Sequence, residues 1–143
     1  MSSSVSAVLS NTTAELSVGP TCTPTLPGFT CGLDATLRII SGKWKPLILY
    51  FLAQDGPTRY GELRRAIRDV SDKMLIQQLK EMAADDLIER IDHKEIPPRV
   101  DYSLTPLGIS LARALVPLCS WGTENMAEVT RVFALREARG QKG

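Results

Sequence analysis

Residues 71–108 read SDKMLIQQLKEMAADDLIERIDHKEIPPRVDYSLTPLG. The first part, about 71–85, has helical spacing. With Leu75 at the centre of one face, about 100° per residue puts Leu79 and Met82 on the same side. Lys73, Gln77, Lys80 and Ala84 then fall on the opposite side, so one stripe is apolar and the other is polar and basic. Ser71 is placed to cap the helix. Two short strands follow, Ile88–Asp92 and Arg99–Ser103, joined at a charged tip, Lys94-Glu95-Ile96-Pro97-Pro98-Arg99. Val100, Tyr102 and Leu104 alternate as a half-buried strand should, whereas the first strand alternates poorly. Thr105 and Pro106 open a further helix as N-cap and first-turn residue.

Upstream, Leu33, Leu37 and Ile40 have helical spacing, and Ser41-Gly42 breaks the run. A second helix is expected over Lys45–Gln54, apolar on nearly every side and therefore central. Asp55-Gly56-Pro57 ends it. Thr58 is the expected N-cap of a third helix, Tyr60–Arg68, with Tyr60, Leu63 and Ile67 inward. Downstream, the long helix after Thr105 carries Leu111, Leu115, Leu118 and Trp121. Pro117 is expected to kink it and Gly122 to interrupt it. A last helix over about Glu124–Arg136 presents Met126, Val129, Val132 and Phe133. So apolar a C-terminal part points to a subunit interface.

The expected fold is mainly α with a small β-hairpin wing, a winged helix-turn-helix flanked by N- and C-terminal dimerisation helices. Residues 1–30 are Ser-, Thr- and Pro-rich with a single charge, Glu15, and read as a flexible tail. Residues 31–122 form the expected winged domain. Residues 123–143 form a helical extension that aids dimerisation, with a disordered end.

Composition narrows the function. The chain has 143 residues, 43% of them hydrophobic, enough for one domain with its own core. No apolar run approaches the roughly 20 residues of a membrane helix, and the N-terminus resembles neither a secretory signal nor a transit peptide. A cytoplasmic protein without membrane contact is expected. Three cysteines without C-x-x-C spacing and a single histidine, His93, exclude a disulfide framework and a zinc or His-rich metal site. No glycine-rich phosphate loop or nucleophile triad is present, so neither an enzyme nor a cofactor is expected.

Net charge is only +1, but its distribution is uneven. Residues 38–68 hold seven basic side chains (Arg38, Lys43, Lys45, Arg59, Arg64, Arg65, Arg68) against two acidic ones, Asp55 and Glu62. That excess predicts a positive surface beside the polar helix stripe. The expected partner is double-stranded DNA. Two short helices joined by Asp69-Val70-Ser71 make a helix-turn-helix, with the second as reading helix. Gln77 can bond an adenine edge in two places, Lys73 and Lys80 can reach guanine or phosphate, and Ile76 can touch a thymine methyl. Ser71 and Asp72 head the reading helix, where backbone amides can hold a phosphate. Arg59, Arg64 and Arg65 are candidate backbone contacts. Lys94 and Arg99 flank the wing tip, beside a minor groove that attracts cations.

These stretches resemble a family. SGKWKPLIL (41–49), RYGELRRAI (59–67), VSDKMLIQQLKEM (70–82), DLIER (86–90), PPRVDYSLTPLG (97–108) and LCSWG (118–122) are similar, in order and spacing, to the HxlR-type regulators. These are bacterial winged-helix transcription factors related to the MarR group. The resemblance covers about Cys31–Gly122. It implies a homodimer paired through its first and last helices on an inverted-repeat operator, more often as a repressor. Three positions depart from the pattern. Ser41 and Asp86 stand where the family usually has glycine, and Gly32 where proline is usual. Asp at 86 tolerates the left-handed backbone that a helix-ending glycine would take.

The resemblance also implies a switch. Several HxlR-type proteins sense oxidants or electrophiles through a cysteine ahead of the first helix, and Cys31 matches that position. A thiol there faces the positive end of the helix dipole, with Asp34 opposing it. Cys119 is expected to pack inside its helix layer, and Cys22 lies in the tail. The alternative effector is a small molecule near Trp44, Tyr50, Phe51 and Trp121, residues otherwise expected in the core. The alternative function is a winged helix that binds protein instead of DNA.

Overall fold

The computed structural model describes residues 28–140. Cys22, most of the expected tail and the last three residues lie outside that range. The elements run α1 (Gly32–Ile39), α2 (Trp44–Asp55), β1 (Thr58–Arg59), α3 (Tyr60–Ala66), α4 (Asp72–Ala84), β2 (Ile88–Asp92), β3 (Val100–Leu104), α5 (Pro106–Glu124) and α6 (Met126–Ala138). The three strands form one antiparallel sheet in the order β1-β3-β2. This is a winged helix-turn-helix: mostly helical, with a small sheet.

The core is built where the apolar spacing places it. Ile48, Leu49 and Leu52 of α2, Leu63 of α3, and Leu75, Leu79 and Met82 of α4 are fully enclosed, with Leu87 and Ile88 closing the cluster. α2 supplies the centre because its sequence is apolar all round. Two helices stand apart: neither α1 nor α6 contributes a buried residue.

Local chemistry sets the joints around α4. Ser71 caps it, its Oγ accepting from the Met74 backbone N–H at 3.1 Å. At the other end Asp86 takes φ 62. The Leu87 N–H reaches the Met82 carbonyl at 2.9 Å, and the Asp86 N–H reaches Ala83 at 3.1 Å. That pair of bonds is the Schellman arrangement, so Asp86 does hold the left-handed site that glycine would fill. α5 is then fastened to this turn. The Thr105 N–H donates to the Leu87 carbonyl at 3.1 Å. Its hydroxyl lies 2.6 Å from the Asp86 carbonyl and accepts from the Gly108 N–H at 3.0 Å.

The structure corrects several expectations. Thr58 does not cap α3. It is buried in β1, opposite Tyr102, with its hydroxyl turned to the Gly56 carbonyl at 2.7 Å. Arg59 is the N-cap, and Glu62 accepts from its backbone N–H at 3.3 Å. α3 ends at Ala66, and Arg68 and Asp69 turn the chain through left-handed φ values of 36° and 67°. α5 runs unbroken through Pro117 and Gly122, and the break falls at Asn125. Gly122 fails to interrupt because one glycine costs a helix only about 1 kcal/mol. Cys119 is exposed instead of packed. Trp121 is 53% exposed, while Trp44 and Phe51 lie against the core.

Candidate nucleic-acid interface

α4 separates its two faces as the spacing predicts. Leu75, Leu79 and Met82 are buried, and Lys73, Gln77, Lys80 and Ala84 are exposed on the opposite side. Ile76 flanks the outer stripe, 42% exposed. Ser71 and Asp72 sit at its N-terminal end. Among the described residues, no ion pair engages Lys73, Lys80, Arg59, Arg65 or Lys94.

The other candidates are tied to neighbours. Asp72 Oδ1 accepts from the Tyr60 hydroxyl at 2.6 Å and from Arg64 Nε at 2.9 Å. These bonds brace α3 against α4 across the turn, and they divert Arg64 towards a carboxylate. The Tyr60 hydroxyl, then Arg64, hold the Asp72 carboxyl below its ordinary range. Burial, then the bond to Asp72, pushes the Tyr60 hydroxyl up to about 12. A folded state that holds this proton more tightly gains stability below the free value of 10.0. The gain fades as the pH rises from about 10 to about 12. Thermal melts across that window should fall more steeply for the natural protein than for Tyr60→Phe. Parallel curves would show that the Tyr60–Asp72 bond is not made in solution.

Gln77 is the end of a chain that starts inside the protein. Lys45 on α2 is only 7% exposed, and its Nζ meets Glu81 Oε1 at 2.8 Å. Gln77 Nε2 donates to Glu81 Oε2 at 3.2 Å. Lys45, then Gln77, hold the Glu81 carboxyl below its usual range. A buried cation thus fixes a surface carboxylate, which orients the amide on the outer stripe. The basic excess of residues 38–68 is therefore smaller at the surface than its count suggests. Lys45 is enclosed, Arg64 meets Asp72, and Arg38 meets Asp34 at 3.1 Å.

The wing has its own anchor. Asp101 is 6% exposed on the central strand. Its Oδ2 lies 3.1 Å from His93 Nε2 and 3.3 Å from Arg99 Nη2. Burial pushes its carboxyl up, but His93 and Arg99 outweigh that and hold it below the ordinary range. Arg99 is therefore drawn to the base of the wing, whereas Lys94 stays at the tip with φ 54. Ile96 is also at the tip and 99% exposed.

Sequence reasoning missed the Lys45–Glu81 brace, which joins separate helices with no common motif. It also missed Arg90. That residue pairs with Tyr102 across the sheet, and its alternation with Ile88 was the available signal.

A model of the HxlR-like helix-turn-helix family matches residues 39–130. The chain belongs to that family. Among its relatives, YkvN of Bacillus subtilis (strain 168), an HTH-type transcriptional regulator of uncharacterised role, is 49% identical over 94 residues. The match covers 66% of this chain and 79% of YkvN. The oxidised redox regulator HypR superposes with a TM-score of 0.62 at 37% identity, over 66% of this chain and 97% of HypR. The reduced transcriptional regulator YodB from B. subtilis gives 0.57 at 29% identity, over 69% and 92%. This HxlR-like chain is thus a helix-turn-helix transcriptional regulator, a DNA-binding protein and not an enzyme, with α3 and α4 as its helix pair. Among the described residues, no helix is long and apolar enough to cross a membrane.

Proposed function

We propose that the chain is a homodimeric repressor that reads an inverted-repeat operator with the outer face of α4. The observation that carries this is the exposed stripe of Lys73, Gln77 and Lys80 on a helix whose opposite side is locked into the core. In this reading Gln77 bonds a base edge, Lys73 and Lys80 reach guanine or phosphate, and Ile76 meets a thymine methyl. Arg59, Arg65 and Lys94 meet the backbone. Arg64 and Arg99 do so only by leaving Asp72 and Asp101. Ser71 and Asp72 position the helix N-terminus. Residues 31–122 form the DNA-binding unit and residues 123–143 belong to the dimer contact.

The second subunit covers an apolar surface. Leu33 and Leu37 on α1 are 61% and 56% exposed, and Leu118, Trp121 and Met126 are 65%, 53% and 58% exposed. Burying such side chains against a symmetric copy is the ordinary way a stable dimer forms. Sedimentation should give the mass of two chains, and a single-chain mass at micromolar concentration would remove this part.

The proposed signal is oxidation or electrophile attack at Cys31. Cys31 is the N-cap residue of α1, half-buried, with no capping hydrogen bond from its side chain. HypR is itself a redox regulator. Modification at the head of α1 would disturb the proposed dimer contact and so the spacing of the two reading helices. Mass spectrometry after mild quinone or peroxide treatment tests it: an unmodified Cys31 with unchanged DNA affinity contradicts it.

The Lys45 brace makes a graded prediction. In Lys45→Met the half-exposed Glu81 can turn to water, so the fold should persist while Gln77 loses its fixed partner. Affinity for the operator should fall several-fold, less than for Gln77→Ala, with little change on random DNA. An unchanged ratio of the two affinities would show that the brace does not serve reading.

A further inference from the structure

We propose that Ile96, at the tip of the wing, is an apolar wedge that enters the minor groove beside the bases read by α4 and bends the operator. The wedge rests on the proposed reading of DNA by α4 and extends it. Ile96 is 99% exposed, so its side chain covers no part of this chain and core packing does not account for it. Turn chemistry does not call for it either. Tight connections favour Gly, Asn, Asp, Ser and Pro, each for a backbone or hydrogen-bonding reason that a β-branched side chain lacks. Among the described residues, every other large apolar side chain that is at least half exposed lies on α1, α5 or α6, the helices of the proposed dimer contact.

The tip is built to hold that side chain out. The His93 N–H donates to the Arg99 carbonyl at 3.0 Å and closes the hairpin beneath it. On one side Asp92 Oδ1 accepts from the Lys94 N–H at 2.9 Å. On the other, Pro97 and Pro98 restrict the backbone. Little chain entropy is therefore lost when the tip docks. Charge does not explain what the tip displays. Lys94 and Glu95 cancel, and Arg99, the next cation, is drawn back to Asp101 at 3.3 Å. What remains is a branched apolar side chain on a stiff support. Isoleucine is among the side chains that insert between base steps from the minor groove, and such insertion kinks a duplex by about 20–90°. Burial between bases removes its surface from water, which offsets part of the cost of unstacking. Pyrimidine–purine steps such as TA unstack most easily. The wedge thus adds a preference for such a step outside the bases that Gln77 touches.

The test uses the full chain and a duplex selected from random DNA by the natural protein. Dyes at the two ends report the bend, and 2-aminopurine at successive flanking adenines reports unstacking. The natural protein should bend the duplex by about 20° or more and brighten one 2-aminopurine position in each half-site. Ile96→Ala and Ile96→Asn should lose both signals and bind about tenfold more weakly, whereas Ile96→Leu keeps them. The salt dependence should stay the same, because no cation is removed. Replacing the flanking pyrimidine–purine step by AA should weaken the natural protein but not Ile96→Ala. Melting curves of the variants should match, since the residue covers nothing. A duplex that stays straight, or that Ile96→Ala bends as far as the natural protein does, overturns the wedge. Base preference that still depends on Gln77 then leaves the reading by α4 standing. Failure to select any sequence overturns both.

Discussion

Gly108→Ala is expected to cost about 3 kcal/mol or more of folding stability, at the upper end of overpacking effects. A Cβ built at Gly108 would lie 2.0 Å from the Leu87 carbonyl oxygen and 3.2 Å from Leu104 Cδ2. The first obstacle is backbone, and it cannot retreat. The Leu87 carbonyl already accepts from the Thr105 N–H, and the Leu87 N–H closes the end of α4. Relief would require α5 to lift from the turn after α4. Urea denaturation measures the loss directly. Gly61→Ala is the control, because its Cβ would meet only a flexible Arg65 nitrogen at 3.7 Å. It should leave the midpoint unchanged or raise it slightly, since alanine favours a helix. A Gly108→Ala midpoint equal to that of the natural protein would mean that α5 is not seated on Leu87.

Leu79→Ala should cost 2–5 kcal/mol, the usual range for emptying a leucine site in a packed core. Leu79 is 1% exposed, between Leu75 and Met82 on the inner side of α4. Lys73→Ala, on the outer side of the same helix, should change stability by no more than about 0.5 kcal/mol. The two substitutions should then exchange their order in DNA binding. Lys73→Ala should weaken it and reduce its salt dependence, as expected when one phosphate contact is lost. The pair separates the two faces of α4 by independent measurements. Similar stability losses from both would mean that the helix is rotated from the orientation described.

Much of this was legible from residue spacing alone. The inner and outer faces of α4 follow from 3.6-residue periodicity, because a helix with Leu75, Leu79 and Met82 in line has only one way to bury them. Ser71 as cap follows from local chemistry that acts within one turn, whereas the left-handed backbone at Asp86 was implied by the resemblance to a family that usually has glycine there. The span of β2 over Ile88–Asp92 also agrees. What escaped depends on contacts between distant segments. β1 has two residues and exists only because Thr58 and Arg59 pair with Tyr102 and Asp101. Its threonine therefore looked like a helix cap. Lys45 counted as surface charge until the fold placed Glu81 above it. Arg64 and Arg99 looked free for the same reason, because Asp72 and Asp101 reach them only in the folded chain. Cys119 and Trp121 sit in an apolar stretch that reads as core. A helix that leaves its apolar side exposed has the same periodicity as one that buries it.

In the proposed reading, the outer face of α4 recognises base identity. This is tested most directly by titrating the natural protein and Gln77→Ala against a selected operator and its single-base variants at fixed salt. A loss of about 1–3 kcal/mol on the operator is expected, together with collapse of the preference at one base pair in each half-site and unchanged preference elsewhere. An equal loss on every sequence, or no loss at all, would contradict it.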